Sequence, residues 1–148
     1  MAVRPIASSR QIAAPPQVVH ELLTSIEAWR LWSPHVASVE PPHGRVEEGW
    51  KGQVRAWFAP VPTTMIVTRV VEDGGIEWET PWLGHRLSYR QRIESAPAGS
   101  RVDFEARVEG PLAGPIAAVA RPLSALGQRR RLGRLAALAE FMARPSSG

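Results

Sequence analysis

From residue 50 to residue 109 apolar and polar side chains exchange at almost every second position, the period of a strand with one buried and one wet face. In Trp50–Phe58, the set Trp50, Gly52, Val54, Ala56 and Phe58 opposes Lys51, Gln53, Arg55 and Trp57. In Thr63–Val71, Thr64, Ile66, Thr68 and Val70 share the side assigned to the interior, and Met65, Val67, Arg69 and Val71 share the other. Asp73-Gly74-Gly75 then marks a turn into Ile76–Thr80, where Ile76, Trp78 and Thr80 oppose Glu77 and Glu79. In His85–Ile93, the inward set is His85, Leu87, Tyr89, Gln91 and Ile93. Arg101–Glu109 alternates most cleanly, with Val102, Phe104, Ala106 and Val108 facing in and charges facing out. Such strict alternation is that of an antiparallel meander with one solvated face.

The flanks change period. Val3–Ala13 reads as a first strand with Ile6, Ser8, Arg10 and Ile12 on one face. Pro15-Pro16 stops it and suits a helix start, so Gln17–Leu23 is assigned to a helix. A second short helix covers Ile26–Leu31 and ends at Ser33-Pro34, because the residue before a proline avoids helical geometry. Val36–Glu40 is a short strand. Leu112 to Ala143 is Ala/Leu/Arg-rich and helical, with Ile116, Val119, Leu123, Leu126, Leu135, Leu138 and Met142 as its apolar positions. Pro122 predicts a kink or break near Ala118–Pro122. The expected fold is α+β: an antiparallel sheet of six to seven strands, two short helices after the first, and a long C-terminal helix covering the apolar face. It is expected to be a single domain over 1–148, with a frayed tail at Pro145–Gly148.

Composition narrows the chemistry. The chain has 148 residues and no cysteine, so disulfides, thiolate nucleophiles and zinc-thiolate sites are out. No signal-peptide pattern and no apolar run of about 18 residues is present, so a cytoplasmic protein without a transmembrane segment is expected. The net charge of +4 is small, and of the 18 basic residues only Lys51 is lysine. Arg129, Arg130, Arg131 and Arg134 form the densest basic cluster, read as a solvated helix face. Nucleic acid is not an expected partner, since the strands do not interleave basic and aromatic residues. Trp supplies 6 aromatic residues against 3 Phe and 1 Tyr. A buried indole N–H needs a partner, so this bias points to a pocket wall.

Ile12-Ala13-Ala14-Pro15-Pro16-Gln17-Val18-Val19, then Trp29-Arg30-Leu31-Trp32-Ser33-Pro34-His35-Val36, resemble the START-like or SRPBCC superfamily, nearest its polyketide cyclase/dehydrase-like branch. Gly110-Pro111-Leu112-Ala113-Gly114 and Leu135-Ala136-Ala137-Leu138-Ala139-Glu140 extend the resemblance along nearly the whole chain. It implies a helix-grip fold, in which a curved sheet grips the last helix around an apolar cavity. Members bind lipids, sterols, polyketides or hormones, some are cyclases, and others act on protein partners.

The four histidines are scattered, with no helical i,i+4 pair, and no phosphate loop or nucleophile elbow occurs, so neither a metal nor a cofactor is expected. Polar residues on the inward face carry more information. His85, Tyr89 and Gln91 alternate with Leu87 and Ile93, and Thr64, Thr68 and Thr80 join them from neighbouring strands. Unpaired buried polar groups cost about 1–3 kcal/mol each, so such a set needs internal partners or a ligand. The expected ligand wall is Trp50, Val54, Ile66, Trp78, Thr80, Trp82, His85, Leu87, Tyr89, Gln91, Phe104 and Leu126, with Trp82 on a mouth loop Pro81–Gly84. The leading expectation is binding or transport of a small apolar molecule between sheet and C-terminal helix. The alternative is a cyclase or dehydratase in which His85 and Tyr89 are the candidate acid–base groups. A third reading is a partner-binding domain, with Trp57 and the Arg129–Arg134 cluster as contacts. Oligomeric state is not legible in the sequence.

Overall fold

A computed structural model of the chain describes residues 3–145. Strand β1 is Ile6–Ile12, helix α1 is Pro16–Thr24, and a 3-10 turn at Ile26–Ala28 leads into α2 at Trp29–Trp32. Strands β2 to β7 follow at Val36–Glu40, Lys51–Ala56, Thr63–Val71, Gly75–Trp82, His85–Ala96 and Gly99–Glu109, and α3 spans Ala113–Ala143. The seven strands form one antiparallel sheet in the order β1-β7-β6-β5-β4-β3-β2. The chain crosses from one edge to the other through α1 and α2, and α3 returns to pack on β1 and β7. This is the α+β arrangement expected from the alternation, and the helix grip that the resemblance implies. Of the expected tail, everything after Pro145 lies outside the described residues. No helix among the described residues is long and apolar enough to cross a membrane.

Local chemistry explains the joints. Helix α1 begins with proline in its first turn, where the missing N–H costs nothing. Its last carbonyls lack intrahelical donors. The indole N–H groups of Trp29 and Trp32 supply two, donating to the Leu23 carbonyl at 2.9 Å and the Leu22 carbonyl at 3.0 Å. Two of the six tryptophans are thereby fixed as struts between α1 and α2. The hairpin β5–β6 turns on Leu83-Gly84 alone, with φ of 46° and 75°. Two consecutive positive φ values give a type I′ turn, whose twist matches that of the flanking strands. The expected loop Pro81–Gly84 therefore shrinks, and Pro81 and Trp82 pair with Arg86 and His85. Gly75 has φ of 100°, and a Cβ there would stand 1.8 Å from the Gln91 carbonyl oxygen. Only glycine fits between β5 and β6 at that point.

On the solvent face, Arg90 of β6 pairs with Glu77 of β5 and Glu105 of β7, and Arg86 with Glu79 and Glu109. These cross-strand pairs are the expected wet-face charges. The core holds Ile12, Val19, Leu23, Val67, Val102, Leu132 and Leu135, all essentially inaccessible.

Four expectations are corrected. On β4 the interior face carries Met65 and Val67, while Ile66 is half-buried and Thr68 exposed on the opposite face. Both faces of that strand hold apolar residues, and a register shift between Val67 and Arg69 brings Val70 back against the core. Alternation alone therefore cannot choose the face. Strand β3 ends at Ala56, so Trp57 and Phe58, the latter assigned inward, both stand exposed beyond it. Helix α3 runs through Pro122 without the expected break. Ala118 and Pro122 are both exposed, so water can serve the carbonyl that loses its donor. The buried face of α3 also differs from the expected stripe. Ala113, Ala117, Gln128, Leu132, Leu135, Ala136 and Ala139 are buried, whereas Val119, Leu123, Leu126 and Met142 are exposed.

Candidate functional site

A cavity opens between the interior face of the sheet, α2 and α3. Its inner chamber, about 220 Å³, is lined by β3–β6 side chains, by Trp29, Trp32, Ser33, His35 and Val36, and by Arg131 of α3. An outer chamber of about 880 Å³ continues along α3, past Trp57, Phe58, Leu123, Arg130 and Arg134. His35, Trp82, Leu87, Tyr89 and Arg131 line both chambers.

The inner wall is apolar with a few polar groups set into it. Trp78 and Tyr89 are register partners on β5 and β6 and stack with centroids 4.0 Å apart and planes 16° from parallel. Met65 and Ile76 extend this surface, and Thr80 and Gln91 bring buried polar atoms to it. Ser33 Oγ and His35 Nδ1 lie 3.1 Å apart. Burial, with the nearby charge of Arg131, pushes His35 down to about 4, so its ring is neutral at physiological pH. Burial raises Tyr89 above the usual phenol value, against the pull of Arg131, so its hydroxyl keeps its proton. The same burial pushes the Arg131 guanidinium down. A group whose ordinary value lies above about 12 still keeps its charge. Among the described residues no group of three or more His, Asp or Glu is placed to hold a metal ion.

The expected wall divides in two. Val54, Trp78, Thr80, Trp82, Leu87, Tyr89 and Gln91 line the inner chamber together. Five residues do not. Trp50, half-buried, packs edge-on against Trp29 with centroids 5.9 Å apart, and Phe104, in the core, packs against Trp32 at 6.0 Å. Ile66 lies on the other face of β4, and Leu126 is exposed and turned away from both chambers. His85 sits at the end of the sheet outside both chambers. Its Nδ1 is 2.9 Å from the Leu83 carbonyl, and its Nε2 accepts the Leu112 N–H at 3.0 Å. With both nitrogens engaged, His85 ties the β5–β6 turn to the start of α3.

Arg131 and His35 are the site residues that sequence reasoning missed. Arg131 lay inside a basic run read as a solvated face. A helix turns about 100° per residue, so one of three consecutive arginines must point elsewhere than its neighbours. Arg131 is one turn before the buried Leu135 and three residues after the buried Gln128, and that spacing was the available signal.

Residues 5–140 match the protein family described as polyketide cyclase / dehydrase and lipid transport. No curated protein matches the chain. Among solved structures, a protein from Mesorhizobium loti is similar with a TM-score of 0.73 at 15% identity, covering 93% of this chain and 98% of its own. A Bacillus halodurans protein gives 0.72 at 17% identity, covering 95% of this chain and 100% of its own. The di-domain ARO/CYC StfQ from the steffimycin biosynthetic pathway gives 0.76 at 16% identity, over 96% of this chain and 52% of that one. At such identities the likeness is one of fold. The family match covers most of the chain and agrees with the sheet-and-helix cavity. The chain belongs to the polyketide cyclase / dehydrase and lipid transport family, whose fold is one that binds hydrophobic ligands.

Proposed function

We propose that the chain is a cytoplasmic binder or carrier of one small hydrophobic molecule, held between the sheet and α3. The observation that carries this is the inner chamber itself, where the stacked pair Trp78–Tyr89 forms a flat apolar platform and Thr80, Gln91 and Arg131 stand around it as polar groups. A mostly apolar cavity with a few convergent polar groups is the general form of a small-molecule site. A panel of fatty acids, sterols and flat aromatics, read by thermal shift and tryptophan quenching, tests it. A ligand at about 100 times its Kd adds about 2.7 kcal/mol of stability and raises Tm by several degrees. That rise should shrink in Trp78→Ala. No stabilisation by any member of the panel rejects the reading.

A cyclase or dehydratase activity is the second reading, and one observation favours it. The Tyr89 hydroxyl, kept protonated by burial and facing the charge of Arg131, is suited to donate a proton to an enolate forming on the platform. Tyr89→Phe, which keeps the stack, should then abolish turnover of a polyketide-like substrate without loss of binding. Unchanged turnover would remove Tyr89 from that role.

A further inference from the structure

Among the described residues the cavity contains a cation without a counter-charge. Arg131 lines both chambers, and no ion pair among the described residues includes it. Its Nε–H donates to the Gly127 carbonyl at 3.3 Å, which leaves the two terminal amino groups of the guanidinium for the cavity. Among the described residues neither chamber is lined by an aspartate or glutamate. The other polar side chains of the inner chamber, Ser33, His35, Thr63, Thr80, Tyr89 and Gln91, are neutral near pH 7. In the outer chamber Arg130 and Arg134 add charge of the same sign, while Arg107 is paired with Glu105 at 3.4 Å. Arg131 is half-buried, and a charge drawn that far from water is ordinarily paired, while an arginine cannot escape the cost by losing its proton.

Building on the reading of this cavity as a hydrophobic-ligand site, we propose that its ligand is an apolar carboxylate, with the carboxylate on the terminal N–H groups of Arg131 and the apolar body against Trp78 and Tyr89. The planar guanidinium fork matches a carboxylate in two parallel hydrogen bonds. Arg131 stands where the two chambers meet, so a headgroup held there leaves the inner chamber free for the body. The absence of acidic lining residues leaves the attraction unopposed. A neutral sterol or ester of the same shape would fill the chamber but leave the guanidinium unpaired.

The test compares a long-chain fatty acid and a flat two-ring aromatic acid, each beside its own methyl ester, by titration calorimetry at neutral pH and constant ionic strength. At least one acid should bind the unaltered protein about tenfold or more tightly than its ester, in keeping with the cost of leaving a buried charge unpaired. The arm showing the preference tells an acyl chain from an aromatic body. Arg131→Gln should bring the acid and ester affinities to within about twofold while ester affinity stays as it was. Arg129→Gln, on the exposed side of α3, should leave the preference intact. Equal binding of acid and ester to the unaltered protein overturns the proposal and leaves the hydrophobic-ligand reading standing. Binding of neither overturns both. A preference that survives in Arg131→Gln assigns the anion site elsewhere and also overturns it. Should Arg131→Gln fail to fold, the acid–ester comparison on the unaltered protein decides.

Discussion

Helix α3 closes the cavity, and one buried side chain latches it to the sheet. Gln128 is only 2% exposed. Its Nε2 donates to the Ile6 carbonyl at 2.9 Å, and its Oε1 accepts the Ser8 hydroxyl at 2.9 Å. Both partners lie on β1, the edge strand against which α3 packs. Gln128→Leu is one bond shorter but of similar volume, and it removes both bonds. Each bond contributes about 1 kcal/mol net, and the orphaned Ile6 carbonyl adds about 1 kcal/mol more. Ser8, half-buried, can turn to water, and the new methyl groups return part of the loss. The expected net cost is about 2 kcal/mol. For a chain of this length that lowers Tm by about 4–8 °C. Equilibrium urea unfolding followed by tryptophan emission measures it. In a double-mutant cycle with Ser8→Ala, the double variant should lose less than the sum of the two single losses, with a coupling of about 0.5–1 kcal/mol. A loss below about 0.5 kcal/mol, or no coupling, would refute the view that this latch holds α3 on the sheet.

Two further outcomes are expected. Leu83 is 80% exposed and held at φ 46°, so Leu83→Asn should stabilise the β5–β6 hairpin by about 1 kcal/mol, read as a rise in urea midpoint; a fall would mean that the leucine side chain makes an unrecognised stabilising contact. His35 is held near 4, against an ordinary value of about 6.5 when unfolded. Both forms are neutral above that upper value. As pH falls from about 6.5 to 4 the unfolded chain takes up the proton first, so stability is lost across that window. Because His35 is partly open to solvent, the loss is discounted to about 1–2 kcal/mol, and His35→Gln should flatten the urea-midpoint profile between those values; an unchanged profile rejects burial as the cause.

The local period of the chain determined most of the sheet. Strands β6 and β7 are legible because their apolar residues occupy one parity only, so Leu87, Tyr89, Gln91, Val102 and Phe104 could be placed inward before any pairing was known. The platform Trp78–Tyr89 and the neighbouring Thr80 follow from the same rule. Where both parities carry apolar residues, as on β4, the period is silent. The packed sheet turned Met65 and Val67 inward and Ile66 to the other face, and the register shift after Val67 brought Val70 back against the core. On α3 apolar residues occur around much of the helix, so packing decided: small alanines allow close approach to the sheet, while Val119 and Leu123 stay outside. That choice of face turned Arg131 inward from a run of like charges and Leu126 outward from a run of apolar ones. Sequence period is a property of neighbours along the chain. The unpaired cation, the neutral His35 and the engaged nitrogens of His85 depend on groups tens of residues apart, which only the tertiary structure brings together.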